Sequence, residues 1–134
     1  MIRIARQKVA DQRIKNVAFE VADADNPAPD SPIDAVMAFN LLHLADDPAA
    51  VIANVRAMLP EGGLFISKTP CLGGKWWFRP LLFALNLFGK ASGKVQSFHS
   101  HDLHRLMEQN GFEMLETGAY PKKMLSYYIV AKAV

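Results

Sequence analysis

The sequence predicts an α/β domain with helices on both faces of a mostly parallel sheet, and three observations predict it. Residues Ile33 to Phe39 form a nearly continuous apolar run of strand length, as a strand buried on both faces does, because flanking helices remove the need for alternation. This run is followed by a helix start at Asp46-Asp47-Pro48, a helical-period stretch, a glycine stop and a second apolar run. That is a strand-helix-strand unit, whose crossover is right-handed and whose strands are parallel neighbours. A late helix closed by Asn110-Gly111 then leads into two further strands.

Taken in order, Ile2, Ala5 and Val9 recur at helical spacing among Arg3, Arg6, Lys8 and Arg13, which predicts an amphipathic helix over residues 1 to about 14. It starts without an N-cap, as if cut into. Residues 17–22 have strand length and end at Asp23-Ala24-Asp25-Asn26, before a Pro-containing loop from Pro27 to Pro32. In the central unit, Asp47 caps and Pro48 opens a helix lined by Val51, Val55 and Met58, with Ile52 and Leu59 beside them. Pro60-Glu61-Gly62-Gly63 stops it, and residues 64–69 form the next strand. Ser100 reads as the N-cap of a helix carrying Leu103, Leu106 and Met107, followed by strands near 112–117 and 125–131.

At 134 residues and 51% hydrophobic content the chain suits one domain, residues 1–134. Fifteen basic against thirteen acidic residues give a formal +2, without the basic footprint of a nucleic-acid binder. Cys71 is the single cysteine, which excludes an internal disulfide and fits a reducing compartment, so a cytoplasmic location is expected. Neither a signal peptide nor a membrane-spanning stretch is read in the sequence.

The string Asp34-Ala35-Val36-Met37-Ala38-Phe39-Asn40-Leu41-Leu42-His43-Leu44, then Asp46-Asp47-Pro48, then Leu59 to Ser67, resembles the class I S-adenosylmethionine-dependent methyltransferases. Ser100-His101-Asp102-Leu103 through Asn110-Gly111-Phe112 is similar to that family's late helix and strand, and the nearest type is the small-molecule ubiquinone/menaquinone methyltransferases. The resemblance implies a Rossmann-like three-layer αβα sheet, mostly parallel with an antiparallel C-terminal strand. It implies S-adenosyl-L-methionine as cofactor and a small, apolar methyl acceptor. The chain departs from the family in lacking the first two strands and the Gly-rich loop, so it reads as the N-terminally truncated, C-terminal portion of a longer enzyme.

By the resemblance, Asp23 meets the adenine amino group and Ala24 presents a backbone N–H beside the ring, while Asn40, Leu41 and His43 line the cofactor pocket. Independently, ligands of such sheets sit beyond the carboxyl ends of the strands, where Asn40 and His43 fall. His43 is also the candidate general base, although methyl transfer needs chiefly alignment. Residues 70–99 hold both tryptophans. Trp76, Trp77 and Phe78 are expected to face substrate within a lid or core helix, with residues 76–88, flanked by Lys75 and Lys90, also suited to a peripheral membrane contact. His99, His101 and His104 read as helix-start polarity, and no metal is expected. An alternative is a non-catalytic remnant that binds or forms a homodimer through unpaired strands.

Overall fold

The computed structural model describes residues 2–22, 32–71, 98–119 and 126–134. They form α1 (Ile2–Asp11), β1 (Ala35–Phe39), α2 (Pro48–Met58), β2 (Leu64–Pro70), α3 (Ser100–Gln109), β3 (Phe112–Ala119) and β4 (Ser126–Ala133). The sheet order is β1-β2-β4-β3. β1 and β2 pair in parallel, and β4 runs antiparallel to both β2 and β3. Three strands therefore share one direction and the C-terminal strand opposes them, as expected.

The central unit forms for the reasons its residues supply. Asp47 Oδ1 accepts from the N–H groups of Ala49 and Ala50 at 3.0 and 3.1 Å, with Pro48 opening the helix. Gly62, at φ +84°, makes the turn into β2, a conformation that a side chain would strain. α3 starts one residue earlier than expected: His99 is the N-cap, and its backbone N–H donates to Asp102 Oδ2 at 3.2 Å. Ser100 is thus the first helical residue. The last two strands run to Ala119 and Ala133, with an irregularity between Met114 and Glu116 that leaves Leu115 turned out to solvent.

One core organises these elements. Val51, Ile52 and Val55 of α2 and Leu103 and Met107 of α3 pack with Ala38, Phe65, Phe112, Ile129, Ala131 and Ala133 from all four strands. Alternation along the strands places these sheet residues on a single face. Phe65 and Phe112 meet with ring centroids 5.5 Å apart. Arg56 ties the end of α2 to two other elements, donating to the carbonyls of Gly111 at 3.2 Å, Leu59 at 3.3 Å and Val134 at 2.8 Å.

Two expectations are corrected. β1 is not buried on both faces: Met37 and Phe39 are 65% and 55% exposed, because both α2 and α3 lie on the opposite face of the sheet. Residues 17–22 form no strand. They lie largely in solvent with Val21 exposed, and a strand without a hydrogen-bonded neighbour has nothing to hold its extended form. α1 forms as expected but buries none of its residues.

Candidate functional site

The shared strand direction gathers the carboxyl ends of β1, β2 and β3 at one edge, together with the start of β4. α3 returns into β3 through Asn110-Gly111, so its early turns lie over that same edge. Asn40, His43, Thr69, Cys71, His104 and Tyr127 therefore converge there.

Asn40 ends β1. Its N–H donates to the Lys68 carbonyl at 2.8 Å as a last ladder rung, and its φ of +55° turns the chain away. Asn tolerates this left-handed region better than most residues. Leu42, fully buried, anchors the turn that follows, and the Leu44 N–H closes it onto the Leu41 carbonyl at 2.8 Å. His43 is thereby held half-buried with Nδ1 shielded from water and unpaired among the described residues. Burial lowers its pKa, keeping the ring neutral near pH 7.

On β2, Ser67 and Thr69 are buried with hydroxyls that have no partner among the described residues. Each such group costs about 1–3 kcal/mol. Thr69 lies opposite Tyr127 of β4. Just beyond β2, burial pushes the Cys71 thiol up to about 11; the Tyr127 backbone opposes the shift and the Asp102 charge adds to it. His104 Nε2 lies 2.9 Å from Tyr127 Oη, with ring centroids 5.5 Å apart.

Of the residues singled out in the sequence, Asn40, Leu41 and His43 lie together on the turn after β1. Asp23, Ala24, Trp76, Trp77, Phe78 and nearly all of the 70–99 lid lie outside the described residues. The three late histidines separate: His99 caps α3, His101 is exposed and His104 pairs with Tyr127. Among the described residues no three His, Cys, Asp or Glu side chains are grouped to hold a metal ion, and no helix is long and apolar enough to cross a membrane. Sequence reasoning missed the His104–Tyr127 pair and the buried β2 hydroxyls. The pair spans 23 residues and depends on β4 inserting beside β2, which no local pattern announces.

No curated protein sequence matches the chain. Solved structures do, at low identity. An O-methyltransferase family 2 protein from Planctomyces limnophilus, in complex with apigenin, superposes with a TM-score of 0.73 at 18% identity, over 99% of this chain and 40% of that one. A magnesium protoporphyrin IX methyltransferase from Synechocystis with bound SAH gives 0.71 at 17% identity, over 100% and 60%. The [4+2]-cyclase SpnF gives 0.74 at 16% identity, over 98% and 61%. The chain thus spans 40% to 61% of the length of these structures, and at such identity the likeness establishes the fold. A family model described as a methyltransferase domain matches residues 2–117. With that match over most of its length and a Rossmann-like α/β sheet, the chain belongs to the methyltransferase-domain family, of the class I S-adenosylmethionine-dependent type.

Proposed function

We propose that this chain forms the later part of a methyltransferase that binds S-adenosylmethionine and methylates a small, apolar molecule, as in the ubiquinone/menaquinone type. The observation that carries this reading is the turn Asn40 to Leu44 at the carboxyl end of β1, with the buried Nδ1 of His43, unpaired among the described residues, beside it. A strand end with a shielded, unpaired polar atom fits a polar ligand at that edge. Asn40, Leu41 and His43 would line the cofactor, with Asp23 and Ala24 at its adenine. When bound, the cofactor supplies an electrophilic methyl group on a sulfonium sulfur. The chain's own residues align the acceptor and exclude water, with His43, neutral through burial, able to accept a proton. Trp76, Trp77 and Phe78 would face the acceptor.

That the chain is part of a longer protein is supported by its span of 40% to 61% of the matched structures and by the free edge and bare face of β1 among the described residues. A cytoplasmic location goes with this reading. Calorimetric titration of S-adenosylmethionine into the chain, and into a form extended upstream, tests it. The extended form is expected to bind. Failure of that form to bind would sink the enzyme reading.

The exposed Met37 and Phe39 and the edge of β1, free among the described residues, favour a second reading, a non-catalytic module that pairs with another copy. Solution mass discriminates: a dimer that does not bind cofactor supports the module, and a monomer that binds it opposes it. Contact of residues 76–88 with a membrane surface would show as sedimentation with anionic vesicles.

A further inference from the structure

Gly118 interrupts β3 without a backbone reason. Among the described residues the glycines at positive φ are Gly62 and Gly111, and a Cβ added to Gly118 would meet nothing within 4 Å. A glycine inside a strand weakens it and often marks a place where a ligand or another backbone comes close. What this one leaves is a groove of about 220 Å³ lined by Glu116, Gly118, Ala119 and Tyr128. We propose that the groove takes the guanidinium group of an arginine carried by an extended partner segment that pairs with the outer edge of β3. The inference is independent of the methyltransferase reading, since it uses none of the residues assigned to cofactor or acceptor.

The sheet register places the groove. β3 is the last strand in the order β1-β2-β4-β3, so its outer edge is free among the described residues. Gly118 lies opposite Tyr128, and Glu116 opposite Val130. Ile129 and Ala131, which alternate with these residues of β4, enter the core, so Glu116, Gly118 and Tyr128 stand on the bare face. A segment added beside β3 would run about 10 Å from β4, two strand spacings away. A long side chain on it reaches the Tyr128 ring by lying across Gly118, where any side chain would block it.

The lining selects a cation. Glu116 is exposed and has no ion-pair partner among the described residues, whereas Glu113 is held by Lys132 at 2.8 Å. Lys68 lies beyond Tyr128, one strand further from the edge, and does not line the groove. A carboxylate beside the face of a half-buried aromatic ring attracts positive charge from two directions. Size then selects a side chain, because sites for whole small molecules start at about 300 Å³. Guanidinium suits this lining better than ammonium: its plane stacks on a ring while its fork meets a carboxylate. Main-chain hydrogen bonds along Glu116 to Ala119, the regular stretch beyond the irregularity at Met114, supply the remaining affinity.

The probe is the peptide acetyl-Thr-Val-Arg-Val-Thr-amide, titrated into the full chain and followed by backbone amide shifts. Its citrulline counterpart keeps the shape and lacks the charge. Saturable binding of the arginine peptide is expected, with the largest shifts at Glu116 to Ala119 and at Tyr128. The citrulline peptide, and the arginine peptide on Glu116→Gln, should each bind about three-fold more weakly, as a partly exposed ion pair contributes. Gly118→Val is the sharper variant. Its added atoms enter open space at an ordinary φ and raise strand propensity, so it should melt no lower than the parent chain, yet abolish binding by filling the groove. Gly118→Ala, the smaller change, should weaken binding. Absence of saturable binding, equal binding of the two peptides, or unchanged binding in a folded Gly118 variant overturns the proposal. None of these results bears on S-adenosylmethionine binding, so the methyltransferase reading stands or falls separately.

Discussion

The two faces of the sheet have different fates. On one, Phe65, Ile129 and Ala131 are sealed beneath α2 and α3. On the other, Met37 and Phe39 stand in water, and β1 has a free edge among the described residues. The difference shows that an apolar strand records what the chain can bury, whereas the surrounding elements decide what it does bury. The covered face carries the stability, and on the proposed reading the carboxyl edge is where the cofactor adds.

The largest break in this comparison comes from truncating matched aromatic residues. Phe65→Ala should cost about 3–5 kcal/mol, the usual consequence of opening a cavity beneath helices, whereas Phe39→Ala should change stability by less than about 0.5 kcal/mol. Urea denaturation measures both, and equal losses would mean that the bare face is covered in solution.

Next in size is Arg56→Met. It removes three hydrogen bonds to the carbonyls of Leu59, Gly111 and Val134 at the end of the covered face, and should cost about 2 kcal/mol in the same experiment.

At the carboxyl edge the sign should reverse. Thr69→Val replaces a buried hydroxyl, unpaired among the described residues, by a methyl group of similar volume, so stability should hold or rise by up to about 1 kcal/mol. A fall in melting temperature would show that the hydroxyl has a partner.

The smallest expected effect is a pH dependence at His43. Its folded pKa is lowered by burial, so the unfolded chain binds the proton more readily. The contribution of the neutral ring is therefore fully present above the unfolded value of about 6.5 and is lost as pH falls through the lower folded value. Thermal unfolding across that range should show His43→Asn losing part of the acid destabilisation.

Much of this was legible locally. The cap of α2 could be read from Asp47 and Pro48, and its stop from Pro60 to Gly63, because capping and positive φ are short-range chemistry. The parallel pairing of β1 with β2 followed from the crossover rule. Residues 17–22 misled because strand propensity says nothing about whether a neighbouring strand is present. Of the site, Asn40 to His43 were legible as a strand end. The pairing of His104 with Tyr127 was not, since it exists only once β4 lies between β2 and β3.

The claim that the carboxyl edge is the ligand site is tested most directly by mapping backbone amide shifts as S-adenosylhomocysteine is added to the upstream-extended chain. The expected result is the largest changes at Asn40 to Leu44, with the covered-face residues Ile129 and Ala131 unmoved. Saturable binding that leaves Asn40 to Leu44 unchanged would contradict it.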